Sequence, residues 1–171
     1  LTLLLDSHDK ALLEFIVDEH DLIVILATGA TPGEPGPQIA AHVVPIERQE
    51  LAERVVRALD GRLLASVEAW RKGSAELFHL LPSDVLDRLA SATSILVSPD
   101  DVLWRVPFEA MPLTAEVTAV GAGFGWPVPY LADRATITYV MSVGAAVRVP
   151  PAPAMDPKAA VIAVASPQLS E

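Results

Sequence analysis

The residues best suited to chemistry are four histidines: His8, His20, His42 and His79. An imidazole can act as a general base or a metal ligand, but each role needs a partner at a suitable spacing. No two of these histidines have the helical spacing of a metal site, and none lies in a context that supplies a nucleophile. His79 falls within an apolar helical series, so we expect it to pack in the core or at an interface.

Carboxylates flank two of these histidines. Residues 18–21 read Asp-Glu-His-Asp, and Asp6 and Asp9 lie on either side of His8. Oxygen and imidazole ligands in such runs could bind a divalent ion. Because side chains that follow one another directly rarely converge on one point, we expect solvated turns at both places and assign no metal ligand.

The chain contains no cysteine, which excludes disulfides, thiolate metal sites and a cysteine nucleophile within these residues. Ser142 lies in the run MSVGA, which lacks the G-x-S-x-G turn that exposes a catalytic serine. The glycines at 121–125 are followed by Pro127 and Pro129, which forbid the helix start that a phosphate-binding loop needs. The sequence therefore indicates no catalytic and no cofactor-binding residue.

Length and charge limit the class of protein. The 171 residues are 51% hydrophobic with a mean hydropathy of +0.40, which suits one domain or sub-domain and leaves apolar surface for another protein. The 22 acidic against 12 basic residues give a net charge of −10, which argues against a nucleic-acid partner. No apolar run reaches the ~18 residues of a membrane span, so we expect no membrane partner and a soluble, cytoplasmic protein. The first residue is Leu1, so we also expect a portion of a longer chain.

Three apolar runs rich in β-branched residues predict strands that are buried on both faces. These runs are residues 21–28, 93–98 and 159–165. Residues 39–46 predict a strand that forms a hairpin with the first run, across a proline-rich loop at 31–37. Residues 10–17 fit either a helix or a strand. Residues 135–140 alternate in polarity and predict a half-exposed strand, and residues 150–157 form a second proline-rich loop.

Between the buried runs at 21–28 and 93–98, apolar residues recur at helical spacing. Leu51, Val55 and Leu59 form the apolar stripe of a first helix that begins after residue 47. A second helix is expected to end before Gly73, after which Ser74 and Ser83 would cap two short helices. Strands that alternate with helices predict an α/β fold, with a mixed or parallel sheet and flanking helices.

Residues 95–112, ILVSPDDVLWRVPFEAMP, resemble the conserved early block of CHAT domains. In that block a strand reaches a Pro-Asp turn, a second strand at 102–105 pairs back, and a Pro-Phe-Glu-Ala-Leu-Pro-like turn follows. Residues 11–28, 130–142 and 160–168 resemble further segments of the family in the same order. The motif residues that the resemblance carries over are Pro99, Asp100, Leu103, Pro107, Phe108, Glu109, Pro112, Tyr130, Leu131 and Ser142.

Physical roles can be expected for several of these positions. Pro99 and Asp100 would set the turn, Leu103 and Phe108 would be core anchors, and the Glu109 carboxylate would meet free amides at a helix start. The sequence also departs from the family pattern. Aspartate replaces the usual glycine at 101, methionine replaces a frequent proline at 141, and Ala-Ser replaces Gly-Asp or Gly-Asn at 165–166. The first two departures are expected to change turn geometry.

CHAT domains are related to caspases and separase, and they often follow tetratricopeptide repeats. The resemblance therefore implies a partial caspase-like layered fold in which residues 1–171 are the N-terminal, pseudo-caspase-like part. The catalytic histidine and cysteine of such a peptidase come later in the family. The implied function is a non-catalytic portion of a caspase-like cysteine endopeptidase, which contributes a structural and regulatory docking surface. Its implied partners are the C-terminal catalytic half, upstream tetratricopeptide repeats, and a protein or peptide.

Two alternatives stay open. One is a protein-interaction or assembly module from a CHAT protein without peptidase activity. The other is an independent nucleotide-binding or flavodoxin-like domain, which the missing phosphate loop disfavours. A histidine and a cysteine in family-like contexts elsewhere in the protein would decide between peptidase and module.

Overall fold

The computed structural model describes residues 5–30, 36–59, 67–112 and 130–142, with the backbone alone at 67–72. The predicted loops at 121–129 and 150–157 and the predicted strand at 159–165 lie outside the described residues. So does most of the predicted loop at 31–37.

Within the described residues, five strands form one mixed sheet. They are β1 (Lys10–Val17), β2 (Asp21–Thr28), β3 (Gln38–Pro45), β4 (Ser94–Ser98) and β5 (Thr136–Tyr139). Their order across the sheet is β3-β2-β1-β4-β5. β1, β2 and β3 pair antiparallel, whereas β1, β4 and β5 pair parallel. The α/β fold class with a mixed sheet is therefore confirmed, and the ambiguous segment at 10–17 is a strand.

The two faces of the sheet differ in burial. On β2, Leu22, Val24 and Leu26 are buried on what we call the core face, whereas Ile23 and Ile25 on the opposite face are half-buried. The prediction that this strand is buried on both faces is therefore wrong along most of its length. Strand β2 reads as a continuous apolar run because its second face is also apolar, although little of the described chain covers it.

In the part of the chain that the structure describes, three α-helices and three 3-10 turns join the strands. The helices are α1 (Arg48–Ala58), α2 (Val67–Phe78) and α3 (Ser83–Ser91), and the turns are Asp101–Arg105, Phe108–Ala110 and Leu131–Asp133. In α1, the predicted stripe residues Leu51 and Val55 are both fully buried. The buried side chains of the helices and turns join one core cluster with those of the core face.

Gly73 lies inside helix α2, which corrects the prediction that a helix ends before it. A Cβ atom at Gly73 would lie 3.1 Å from the Cα of Ala58. The glycine therefore serves the close crossing of α2 over the end of α1, and it does not break the helix. Ser74 is fully buried within α2, so the prediction that it caps a new helix is also wrong.

Two further local predictions are wrong. Helix α3 begins at Ser83 itself, with Pro82 at the N-cap position and no side-chain capping hydrogen bond. Residues 102–105 do not pair back as a strand but form the Asp101–Arg105 turn. Local bonds explain this turn, since the Leu103 N–H donates to the Asp100 carbonyl at 3.0 Å and the Val106 N–H to the Leu103 carbonyl at 3.0 Å.

Candidate functional site

The parallel strands β1, β4 and β5 end at one edge of the sheet, where ligands of open α/β sheets bind. We call this region the carboxyl edge. It consists of residues 18–20 after β1, residues 99–105 after β4 and residues 140–142 after β5. Most of the sequence motif lies there or directly behind it, so the geometry of these residues decides what the motif does.

Asp100 joins the end of β1 to the turn that follows β4. Its Oδ2 accepts a hydrogen bond from the Val17 N–H at 2.9 Å, and its Oδ1 accepts one from the Asp101 N–H at 2.9 Å. Pro99 before it is buried. The Pro-Asp pair therefore sets the turn, and it also fixes two neighbouring parallel strands to each other at their ends.

Asp101 adopts a left-handed backbone, with φ at 46°. This is the conformation that glycine favours and that aspartate tolerates better than most residues. Asp101 thus holds a left-handed backbone at the position where the family pattern has glycine, and the expected change in turn geometry stays a prediction. The Asp101 carboxylate accepts from the Arg48 Nε at 2.7 Å, and this bond lowers the pKa of Asp101 and raises that of Arg48.

An open groove of about 1080 Å³ runs along the carboxyl edge between α1 and the Asp101–Arg105 turn. Carboxylates of Asp18, Glu19 and Glu47 line it together with the Arg48 and Arg105 side chains. At its rim the exposed His20 Nδ1 lies 2.9 Å from Glu47 Oε2, and the hydrogen bond to Glu47 raises the pKa of His20. The groove thus combines both charge signs and is open to solvent.

Phe108 is the centre of an aromatic cluster behind the carboxyl edge. Its ring stacks on Phe15 of β1 with centroids 5.3 Å apart, and it packs at an angle on Phe78 of α2 and Tyr139 of β5 at 6.2 and 6.3 Å. Phe108 is only 2% exposed and Leu103 only 4%. Phe108 therefore joins β1, α2 and β5, and Leu103 is buried in the same core cluster.

The Tyr139 hydroxyl takes the place that we expected for the Glu109 carboxylate. The Phe108 N–H donates to this hydroxyl at 2.9 Å, and the hydroxyl in turn donates to Glu109 Oε2. Desolvation, followed by the bond to Glu109, raises the pKa of Tyr139. The exposed Glu109 therefore meets a phenol, and the phenol oxygen rather than the carboxylate accepts from the amide at the start of the turn.

The remaining motif residues join the ends of the segment that is not described between 112 and 130. Pro112 is buried and forms an isolated β-bridge with Tyr130, and the Leu131 N–H donates to the Met111 carbonyl at 2.8 Å. Leu131 is 1% exposed, whereas Ser142 is exposed after β5. Nine of the ten motif positions thus lie in one connected body around Phe108, and Ser142 lies at its margin.

A family model, described as CHAT domain, matches residues 49–171. The chain belongs to the CHAT-domain family. The matched range contains the whole motif from 95 to 142 and begins after β3, so the resemblance of residues 11–28 lies outside it. No curated protein and no solved structure gives a significant match to the chain. Within the described parts of this CHAT protein, no helix combines the length and apolarity needed to cross a membrane.

The histidines do not form a reactive centre in the described part of the CHAT chain. His79 is exposed beyond the end of α2, so a core position is wrong and an interface position stays a prediction. The His42 Nε2 lies 3.1 Å from Asp84 Oδ2, which links β3 to α3. The runs at 6–9 and 18–21 lie in turns at the ends of β1, and the described residues contain no group of three potential metal ligands.

Sequence reasoning missed three contributors to this site. Tyr139 appeared only as part of an alternating strand, although its place in the CHAT-like segment at 137–142 was a usable signal. No local sequence pattern predicts the contacts of Arg48 and of the Val17 N–H, because their partners lie 53 and 83 residues away along the chain. Such contacts depend on the strand order, which local patterns do not specify.

Proposed function

We propose that this chain is the non-catalytic N-terminal portion of a CHAT-type caspase-like cysteine endopeptidase, and that it supplies a structural and docking surface for the catalytic portion. Under this proposal residues 1–171 form one sub-domain, and the protein acts in the cytoplasm. Its partners are the catalytic portion, upstream tetratricopeptide repeats and a protein or peptide substrate.

The proposal rests on one observation, which is that the CHAT-motif residues play structural roles within this chain. Asp100, Phe108 and Glu109, the motif positions whose chemistry could serve a reaction or a ligand, are engaged in contacts within the chain. A carboxylate that holds the end of β1 and a phenylalanine buried among three elements are structural devices. The chain has no cysteine, so the thiol of such a peptidase must come from other residues.

The carboxyl edge is the natural meeting place for the two portions. In a parallel sheet the catalytic groups follow the carboxyl ends of strands, so further parallel strands would place their histidine and cysteine at the same edge. The groove beside Arg48 and Asp101 would then border the substrate. In that arrangement the histidine of the partner portion would activate its thiol as the nucleophile.

The test uses two separately produced chains: these 171 residues, and the proposed catalytic portion of the protein. The mixture is examined by size-exclusion chromatography and by cleavage of a fluorogenic peptide library. We expect co-elution and cleavage that iodoacetamide abolishes, with neither chain active alone. Cleavage by these 171 residues alone, or no association of the two chains, would contradict the proposal.

An interaction module without peptidase activity is the second candidate, and the self-contained packing of the motif residues favours it equally. It predicts co-elution without alkylation-sensitive cleavage, and no family-like pair of histidine and cysteine elsewhere in the protein. The same mixture therefore separates the two functions.

A further inference from the structure

The second face of the sheet is apolar and open over three strands. We call the open face seven of the side chains of β1, β2 and β3 that point away from the core: Glu14, Ile16, Ile23, Ile25, Ile39, Ala41 and Val43. The register places Ile16 beside Ile23 and Ile23 beside Val43. Ile39 and Val43 are 62% and 63% exposed, and Ile16 is 43% exposed. Large apolar side chains that share one patch mark an interaction surface.

The topology explains why the described chain leaves this face open. The connections from β1 to β4 and from β4 to β5 contain α1, α2, α3 and the 3-10 turns, and their buried side chains join the core cluster. The links between β1, β2 and β3 run between antiparallel neighbours, so they need no crossover. Within the described residues, only the segment at Leu5 packs on the second face, at the end formed by Leu12 and Ala27.

The open face carries negative charge at its centre. Glu14 is half-buried on the central strand β1, where it pairs with Ile25, and none of the ion pairs among the described residues includes it. Asp21 lies on the same face at the start of β2. A second copy of this chain would bring a net charge of −10 and another Glu14 toward the first, so the charges disfavour self-association.

The dimensions fit one helix. Three neighbouring strands span about 10 Å between the outer two, and the four residue steps from Ile39 to Val43 cover about 13 Å. An α-helix is about 10–12 Å wide, and three turns are about 16 Å long. One helix therefore covers Ile16, Ile23 and Val43 and places a residue of its own over Glu14.

We propose that the open face binds an amphipathic helix of a partner protein, whose apolar stripe packs on the isoleucines and Val43 and whose lysine or arginine pairs with Glu14. The isoleucines supply affinity by burial, and Glu14 selects a cationic helix, because a helix with an acidic residue there would desolvate two like charges. This surface is distinct from the carboxyl edge, and the proposal holds with or without peptidase activity.

The test measures the fluorescence anisotropy of two labelled synthetic peptides mixed with the 171-residue chain. Both are helical, about 18 residues and five turns long, with a leucine stripe, and they differ in one central stripe residue, lysine or glutamate. We expect the lysine peptide to bind at least about tenfold more tightly than the glutamate peptide. In the Glu14→Lys variant the preference should reverse.

Matched variants distinguish binding at the open face from nonspecific hydrophobic binding elsewhere on the chain. Val43→Glu should weaken binding of the lysine peptide at least about tenfold. Val56→Glu is the control, because Val56 is also an exposed valine, 52% exposed, but lies on α1. Circular dichroism melts confirm that each variant is folded.

Three results of the anisotropy assay would overturn the proposal. They are no binding of the lysine peptide, no reversal in Glu14→Lys, or equal losses in the two valine variants. A concentration-dependent dimer in sedimentation velocity that Val43→Glu abolishes would assign the open face to a second copy, which also refutes the helix. None of these results depends on the catalytic portion, so they are independent of the peptidase test.

Discussion

Replacement of Asp100 by alanine tests whether the family's Pro-Asp turn is a structural clamp. The change removes the acceptor of the Val17 N–H and of the Asp101 N–H, each at 2.9 Å. A hydrogen bond to a charged group contributes about 1.5–3 kcal/mol. Two bonds at the low end of this range give about 3 kcal/mol. Because Asp100 is only half-buried and solvent replaces part of this contribution, we expect a loss of about 2–3 kcal/mol in the free energy of unfolding.

Asparagine at 100 gives a graded result. Its side chain keeps one acceptor oxygen, but its NH₂ group would face the second N–H, so one bond is lost. We expect Asp100→Asn to cost about half as much as Asp100→Ala. Asp87→Ala is the control, because Asp87 is an exposed carboxylate on α3 and its loss changes the net charge equally.

Urea denaturation followed by circular dichroism measures these free energies, provided that the slope with urea is unchanged. The free energy of unfolding of the Asp87→Ala control should stay within about 0.5 kcal/mol of that of the unsubstituted chain. The clamp would be refuted if Asp100→Ala matched the control, or if asparagine and alanine cost the same. In that case the two hydrogen bonds contribute nothing beyond what solvent provides.

Four further variants test other parts of the structure by thermal and urea denaturation. Tyr139→Phe leaves the Phe108 N–H without its acceptor and should cost about 1–2 kcal/mol. Because folding raises the pKa of Tyr139, its contribution is full below the ordinary tyrosine pKa of about 10 and declines above it. Stability should therefore fall less steeply above pH ~10 in Tyr139→Phe than in the parent, and equal slopes would contradict the buried phenol. Gly73→Val inserts a branched side chain where even a Cβ would lie 3.1 Å from the backbone of α1. We expect it to lower the free energy of unfolding by at least about 2 kcal/mol. An unchanged denaturation midpoint would show that α1 and α2 can move apart at no cost. Asp101→Gly relieves the strain of a left-handed backbone but loses the exposed bond to Arg48, so it should change the free energy of unfolding by less than about 1 kcal/mol. Asp101→Ala keeps the backbone strain and also loses the bond, so it should be the less stable of the two variants.

The strands were largely predictable because their apolar runs are short and rich in β-branched residues. Residues 21–28 form β2, and residues 93–98 contain β4. The alternation at 135–140 likewise marked β5, and the hairpin of β2 and β3 was expected from the proline-rich loop between them. What local pattern could not give was the order β3-β2-β1-β4-β5, since it depends on which runs meet in space.

The errors share a physical cause. Gly73 and residues 102–105 were interpreted by local propensity, as a helix breaker and as a strand. The crossing of α2 over Ala58 and the burial of Leu103 in the core override those preferences. The expected contact between Glu109 and free amides failed for a related reason. The hydroxyl of Tyr139, which lies 30 residues after Glu109 in the chain, accepts the hydrogen bond of the Phe108 N–H instead. Only the folded structure brings Tyr139 to this position.

The contacts of the motif also show which residues belong to one structural unit. The family match begins at residue 49, yet Asp100 bonds to the Val17 N–H and Phe108 stacks on Phe15, both on β1. β1 is the central strand of the described sheet and pairs with β4 over five residues. A chain trimmed to the matched range would expose that edge of β4 and leave the Phe108 ring without its stacking partner. Strand β1, which precedes the match, therefore completes the CHAT motif itself, and the open face that β1, β2 and β3 carry is built on the same sheet as the carboxyl edge.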